Sequence, residues 1–304
     1  MTAATTVAEP VAHRGSVRGF LRLVMIEHSV FALPFAYVAA LTAMWQRDER
    51  VDWRDLLLIT IAMVGARTFA MAANRVIDRE LDARNPRTAK RELVTGALSV
   101  RTAYAGMAVS LVVFFAAAAA LAPLCLALAP LAVVPLVVYP YGKRFTWGCH
   151  FILGLAQMIA PIGAWIGVTG HWSWTPVLIG AGMGLWIAGF DIIYACQDFE
   201  HDRADGVYSI PARFGIPAAL GVSAVTHVVT VALFVWFGVA AGLGALWYVG
   251  VALAAAALVY EHLIVRPSDL SRVNRAFFTV NGFIGIGLFA FAVTELARQG
   301  LRPW

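Results

Sequence analysis

The sequence predicts an all-α integral membrane protein whose nine transmembrane helices form one bundle. Of its 304 residues, 61% are hydrophobic and only 13% are charged, and the mean hydropathy is +0.75. A soluble domain carries roughly half apolar residues and about a quarter charged ones, because its surface must face water. This excess of apolar residues therefore indicates burial in a lipid bilayer.

Nine hydrophobic stretches are long enough to cross the membrane, since about 30 Å of hydrocarbon takes roughly 20 helical residues. They lie near residues 21–45, 55–77, 102–121, 124–141, 151–169, 175–197, 213–240, 243–263 and 276–297. Pro123 separates the third from the fourth, and an eight-span alternative would join them across 113–138. Residues 1–20 lack the apolar segment of a cleaved signal peptide and are predicted to be a tail. Residues 21–299 then form a single transmembrane domain.

Basic residues are distributed unevenly between the two sides of this predicted bundle. The N-terminal tail and the loops on its side hold 17 of the 23 Lys and Arg residues. Short cytoplasmic loops collect such residues, so we expect the N-terminus in the cytoplasm and the C-terminus outside. The expected location is a bacterial-type inner membrane, with cytoplasmic cap loops near 83–100 and 203–213. This asymmetry accounts for the net charge of +5 without a nucleic-acid partner.

Two carboxylate-rich helix ends fall on the predicted cytoplasmic side. Their members are spaced by four or seven residues: Asn74, Asp78 and Asp82 in the second span, and Asp191, Asp198 and Asp202 in the sixth. Such spacings keep side chains on one helix face. Carboxylates oppose the dipole at a helix C-terminus, and one near lipid costs at least roughly 2.5 kcal/mol. A bound cation is therefore expected, and oxygen ligands suit Mg²⁺.

Basic residues follow the acidic helix ends along the chain, and Lys143, Arg144 and Arg91 are expected on the same side. Carboxylates that hold Mg²⁺ opposite Lys and Arg are a typical arrangement for binding a polyphosphate. The sequence has no Walker glycine loop, so a lipid diphosphate is favoured over a nucleoside triphosphate. Arg67 lies deeper in the second span and is a further site candidate.

A cation-coupled transporter is the alternative from another class of protein. Transporters place carboxylates near the membrane midplane, beside broken helices and within inverted repeats. Here the acidic residues gather at one surface beside basic loops, which favours an enzyme that acts on a charged substrate.

At these residues the chain resembles the UbiA superfamily of intramembrane aromatic prenyltransferases. The NxxxDxxxD motif lies at 74–82, and a DxxxD motif at 198–202 follows Asp191. YPYGKRFT at 139–146 and YSIPARFG at 208–215 extend the resemblance, which covers about residues 18–298. Four further segments are similar to the MqnP-type subfamily of the futalosine route to menaquinone, at 26–37, 154–165, 189–198 and 270–285. The resemblance implies nine helices around a central cavity that opens laterally to lipid.

The resemblance also implies a reaction, the Mg²⁺-dependent transfer of a polyprenyl chain from polyprenyl diphosphate to an aromatic hydroxy acid. The subfamily favours 1,4-dihydroxy-6-naphthoate as acceptor, and 4-hydroxybenzoate and 1,4-dihydroxy-2-naphthoate are the alternatives. Membrane lipid surrounds such an enzyme, and no obligate protein partner is implied.

By position, the resemblance assigns roles to twelve residues. The metal ligands would be Asp78, Asp82, Asp198 and Asp202, the substrate-binding residues Asn74, Arg67, Arg91, Arg144 and Tyr194, and the catalytic residues Asp191, Tyr139 and Lys143. Arg67 would bind the acceptor's carboxylate, or alternatively form a structural pair with Asp191 or with a carbonyl at a helix end. The histidines, His150 among them, show no ligand spacing and are given no role.

Overall fold

The computed structural model describes Phe20 and residues 32–303, apart from the side chain of Phe278. Within these residues the regular secondary structure is helical. Nine of the described helices have 16 residues or more, and we number them α1 to α9: Leu33–Asp48, Trp53–Ile77, Val100–Leu121, Pro123–Gly142, Cys149–Thr169, Thr175–Ala195, Ile216–Ala241, Ala245–Ile264 and Asn281–Arg298. The predicted tail and the first part of the predicted first span lie outside the described residues, apart from Phe20.

Seven helices of the described part, α2 to α8, are long and apolar enough to cross a membrane. Each coincides with one predicted stretch. The eight-span alternative is wrong for α3 and α4, because Ala122 is extended, with φ −155° and ψ 149°, and Pro123 begins a separate helix. Proline fits there because the first turn of a helix leaves its N–H groups unpaired. The count of nine spans stays a prediction.

Helix α6 lies at the centre of the bundle, between α5 and α7. Its membrane-crossing segment is 67% buried inside the protein, against 17% for α3 and for α4. The outer faces of α3 and α4 instead expose large apolar side chains such as Val112 and Leu131. An apolar surface of this extent suits lipid rather than water. The chain is therefore a multi-pass membrane protein.

Glycines bring the backbones of α5 and α6 together where these helices cross. A Cβ atom added to Gly184 would lie 2.6 Å from the carbonyl oxygen of Gly154, closer than carbon and oxygen can pack. Small residues are favoured at such contacts between membrane helices because they let the backbones approach. His150 is four residues before Gly154, and Asp191 is seven after Gly184, so both lie on the glycine faces of their helices.

Three polar side chains form a buried network between α6, α8 and α9. The amide of Asn281 donates to Glu261 Oε1 at 2.9 Å and to the carbonyl of Ala276 at 3.1 Å, and it accepts from Trp186 Nε1 at 2.7 Å. Asn281, Glu261 and Trp186 are all fully buried. Asn281 thereby ties α9 to the π-helical turn Ala276–Val280 that precedes it.

We expect Asn281→Leu to destabilise the protein, because it leaves Glu261 and Trp186 buried without these partners. Loss of the Asn281 hydrogen bond to the buried Glu261 costs about 1–3 kcal/mol, which corresponds to a fall of several degrees in the unfolding midpoint. Heat-induced aggregation of the detergent-solubilised protein measures this midpoint. Thr294→Leu, an exposed position on α9, is the matched control. Equal midpoints for the two variants would show that the network does not stabilise the bundle.

Candidate active site

A cavity of about 420 Å³ lies at the end of the bundle where α2, α4 and α6 terminate. Ten of the twelve predicted site residues line it, namely Arg67, Asn74, Asp82, Arg91, Tyr139, Lys143, Asp191, Tyr194, Asp198 and Asp202. The other two, Asp78 and Arg144, lie directly behind Lys143, which contacts Asp78. The structure therefore brings both acidic motifs and their basic neighbours to one site.

Asp78 is the fully buried centre of the first motif. Its Oδ2 atom accepts from Lys143 Nζ at 2.5 Å and from Asn74 Nδ2 at 3.0 Å. Arg144 Nη2 lies 3.7 Å from Oδ1 but donates to the carbonyl of Ile77 at 2.6 Å. Burial raises the pKa of the Asp78 carboxyl above its ordinary value, and the Lys143 ammonium opposes the rise. Its Oδ1 atom is buried and has no hydrogen-bond partner among the described residues.

The regular α-helical geometry is interrupted within each acidic stripe, by a turn residue in the first and by a 3₁₀ turn in the second. Helix α2 ends at Ile77, and its C-cap Asp78 has φ −90° and ψ 3°. A short helix, Arg79–Arg84, then carries Asp82 in its first turn. Likewise α6 gives way to a 3₁₀ turn that ends at Asp198, and the short helix Phe199–Ala204 carries Asp202 in its first turn. The dipole favours a carboxylate at a helix N-terminus and disfavours one at a C-terminus. The breaks therefore place both later aspartates at favourable helix ends.

Arginines of the segment after the first motif reach both later carboxylates. Arg91 Nη1 lies 2.5 Å and 2.6 Å from the two carboxylate oxygens of Asp82. Arg87 binds Asp198 through two bonds, Nε to Oδ1 at 3.1 Å and Nη2 to Oδ2 at 2.7 Å. Such bidentate pairs fix the carboxylate's plane as well as its charge. The cap loop near 83–100 is thus attached to the second acidic motif, through Arg87.

Of the four motif aspartates, Asp202 is hydrogen-bonded to a hydroxyl group, whereas the other three contact a lysine or arginine side chain. Its Oδ2 atom accepts from Ser209 Oγ at 2.9 Å. Among the described residues no three carboxylate, imidazole or thiol groups converge on one point. All four motif side chains nevertheless offer only oxygen, the ligand that Mg²⁺ prefers, and Asp78 Oδ1 has no hydrogen-bond partner in the described part. The donor set therefore fits a hard divalent cation.

Arg67 and Asp191 lie deeper in the cavity, each about 10 Å of helix before the acidic motif on its own helix. They do not pair with each other as the structural alternative predicted. Asp191 Oδ2 lies 2.6 Å from His150 Nδ1, and Arg67 Nε is buried with no hydrogen-bond partner among the described residues. Tyr139 lines the cavity between the acidic motifs and the deeper residues Arg67 and Asp191. Its hydroxyl accepts a hydrogen bond from Asn74 Nδ2 at 3.0 Å.

Three residues of the site were missed from the sequence. Arg87 binds Asp198 and lies over the ring of Tyr194 at 5.4 Å. Asn85 donates to the same carboxylate at 3.1 Å. His150 was given no role, yet it is buried beside Asp191 in the cavity wall. One signal in the sequence pointed to His150. It lies at the start of α5, at the end of the bundle that carries both acidic motifs.

Comparisons with known proteins agree with this fold. The UbiA prenyltransferase family matches residues 32–284. The chain is 31% identical over 240 residues to the 4-hydroxybenzoate octaprenyltransferase of Alkalilimnicola ehrlichii, a match that covers 78% of this chain and 82% of that one. It superposes on the apo structure of a UbiA homolog from Aeropyrum pernix K1 with a TM-score of 0.79 and 36% identity, covering 89% of this chain and 98% of that chain.

A UbiA homolog from Archaeoglobus fulgidus, bound to DMAPP and Mg²⁺, shares the fold at 20% identity. Its TM-score is 0.69, and the match covers 92% of this chain and 99% of that chain. The family match spans most of the chain, and the curated relative covers most of its own length. The chain therefore belongs to the UbiA prenyltransferase family and is a prenyltransferase.

Proposed function

We propose that this enzyme transfers a polyprenyl chain from polyprenyl diphosphate to an aromatic hydroxy acid in a Mg²⁺-dependent reaction. The observation that carries the proposal is that both acidic motifs, Lys143 and the half-buried Arg67 contribute to one shared cavity. It offers carboxylates for a cation, cations for a diphosphate and a guanidinium for an organic acid. Membership of an enzyme family sets aside the transporter alternative.

The outer part of the cavity would take the diphosphate. Asp78, Asp82, Asp198 and Asp202 would hold Mg²⁺, which when bound supplies Lewis-acid neutralisation of the departing oxygen. Asn74 orients Asp78 through its hydrogen bond. Lys143, Arg91 and Arg144, with Arg87, would add positive charge beside the diphosphate oxygens and favour its departure. Tyr194 would pack beside the substrate, since its ring lies between Arg87 and Phe277.

The inner part of the cavity would take the aromatic acceptor. A guanidinium favours a planar anion that it can bind through two hydrogen bonds, so Arg67, which lines the cavity, would bind the acceptor's carboxylate. Asp191 would contact the acceptor's hydroxyl group from the opposite wall. Tyr139 lies between the two levels and would face the allylic carbon as it becomes cationic, because an aromatic face stabilises a nearby cation.

The supporting observations favour different aromatic acceptors. Resemblance to the MqnP-type subfamily favours 1,4-dihydroxy-6-naphthoate and a place in menaquinone synthesis. The named relatives, at 27–31% identity, are 4-hydroxybenzoate octaprenyltransferases. Together with 1,4-dihydroxy-2-naphthoate these are all aromatic carboxylates, and Arg67 serves each of them equally. We propose the 6-naphthoate, with 4-hydroxybenzoate as the second candidate.

We further propose how the enzyme lies in the cell membrane. Residues 21–299 would form one domain of nine spans, with the N-terminus and the cavity mouth on the cytoplasmic side and cap loops near 83–100 and 203–213. The basic asymmetry of the loops supports this orientation. A lateral opening of the cavity would leave the polyprenyl tail in lipid, so that its apolar surface is never exposed to water.

The test is to incubate membranes that contain the enzyme with Mg²⁺, a polyprenyl diphosphate and one acceptor at a time. We expect mass spectrometry to detect a prenylated product with 1,4-dihydroxy-6-naphthoate, and none when EDTA replaces Mg²⁺. Product with 4-hydroxybenzoate alone would move the assignment to the second candidate. Failure with every aromatic acid, in membranes that contain folded protein, would overturn the proposed function.

A further inference from the structure

His150 and Asp191 form a short contact in the inner part of the cavity. His150 Nδ1 lies 2.6 Å from Asp191 Oδ2, and the backbone N–H of Ile210 points at the other ring nitrogen, Nε2, at 3.4 Å. A protonated ring nitrogen of histidine donates hydrogen bonds, whereas a carboxylate accepts them. In this arrangement His150 Nδ1 donates to Asp191 Oδ2, and Asp191 is the acceptor.

The same contact leaves half of the Asp191 carboxylate available. Its side chain is 31% exposed and lines the cavity, whereas that of His150 is 3% exposed. The bond to His150 uses Asp191 Oδ2. The other oxygen, Oδ1, makes no hydrogen bond in the described part of the chain. A free carboxylate oxygen at this level can accept a hydrogen bond or a proton from a molecule in the cavity.

His150 is itself fixed from two sides. The close approach of α5 and α6 at Gly154 and Gly184 sets the distance between the helices that carry the pair. The segment that contributes the Ile210 N–H also carries Ser209, whose hydroxyl binds Asp202. The imidazole thus has one orientation in which both of its nitrogens are satisfied, and this orientation determines where Asp191 Oδ1 lies.

We propose that His150 is a positioning residue that holds Asp191 as the proton acceptor for the hydroxyl group of the aromatic substrate. This inference rests on the proposed function. In the step, Asp191 Oδ1 accepts the hydroxyl proton while the ring carbon bonds to C1 of the prenyl chain. The C1–O bond breaks and its electron pair leaves with diphosphate. The ring carbon then loses its own proton to water and the ring oxygen regains one from Asp191, so that one proton is released overall.

Two substitutions of His150 separate this role from general packing. In asparagine the amide nitrogen is bonded to Cγ, as Nδ1 is in histidine, so His150→Asn can still donate to Asp191. In glutamine the amide is one bond further out, at the level of Nε2, so His150→Gln can meet Ile210 but not Asp191. We expect His150→Asn to retain most of the wild-type kcat. His150→Gln should lower kcat about 100-fold, because small displacements of a reacting group have effects of this size.

The readouts are kcat, the KM for each substrate, and the melting behaviour of the solubilised enzyme. We expect an unchanged KM for polyprenyl diphosphate in both variants, and a double variant H150Q/D191N no slower than D191N alone, since the two residues act as one unit. Wild-type kcat in His150→Gln would overturn the proposal, as would equal loss in both His150 variants. Loss of diphosphate affinity or of stability in His150→Gln would also overturn it. Failure of the wild-type enzyme with every acceptor would instead count against the proposed function.

Discussion

Asp78→Asn and Asp198→Asn are each expected to lower the rate of prenyl transfer at least about a thousandfold, while the protein still inserts into the membrane. The substitution keeps the size of the side chain and part of its hydrogen bonding, but it removes the negative charge that a divalent cation requires. Stabilisation of developing charge often accelerates an enzymatic reaction more than any other effect, and loss of one such group costs several kcal/mol. Product formation followed by mass spectrometry over a range of Mg²⁺ concentrations measures the loss of rate.

Each acidic motif contains its own matched control. Glu80 and Glu200 are exposed carboxylates that lie beside the two motifs and do not line the cavity. Glu80→Gln and Glu200→Gln therefore remove the same charge two residues away from Asp78 and Asp198, and we expect both variants to keep wild-type activity. Full activity of either aspartate variant would refute the metal-binding assignment. Equal losses in the glutamate variants would mean that net charge, rather than ligation, is measured.

Arg67→Met is expected to raise the KM for the aromatic acid roughly 10- to 100-fold, since a hydrogen bond to a charged group contributes about 1.5–3 kcal/mol. The KM for polyprenyl diphosphate should not change, because Arg67 lies about 10 Å of helix below the first acidic motif. Arg67→Lys keeps the charge but loses the planar pair of donors, so we expect an intermediate KM.

The decisive comparison for Arg67 uses an acceptor analogue that lacks the carboxylate. With a phenol or naphthol of otherwise equal structure, the wild type and Arg67→Met should differ little, because the group that distinguishes them is absent. If Arg67→Met is impaired equally with both acceptors, Arg67 does not bind the carboxylate. A rise in the KM for polyprenyl diphosphate would assign this arginine to the diphosphate instead.

Much of the fold could be predicted from apolar stretches alone, because the bilayer requires uninterrupted helices of nearly fixed length. The separation of α3 from α4 followed from Pro123. The spacing of the aspartates likewise predicted which carboxylates share a site. The helix breaks at Asp78 and Asp198 could not be read from that spacing, since the four-residue repeat continues across each break. Whether a new short helix begins at these positions depends on tertiary contacts, which the spacing of residues along the sequence does not reveal.

The pairing of charges at the site was also beyond the sequence. Arg87 and Asp198 are 111 residues apart, and His150 and Asp191 are 41 apart. The sequence does not show which basic residues of the cap loop near 83–100 reach a carboxylate. The folded loop brings Arg87 and Arg91 into contact with Asp198 and Asp82. The histidine was missed for a related reason. Its partner lies on a neighbouring helix, so no spacing within one helix marks it as part of a site.

The crossing of α5 and α6 limits how this enzyme can move during a catalytic cycle. At Gly154 and Gly184 backbone meets backbone, so no side-chain rotamer is present to absorb sliding or separation of the two helices. The hairpin must therefore move as a rigid body and carry His150 and Asp191 with it. We therefore expect any movement that accompanies substrate binding and diphosphate release to occur away from this crossing.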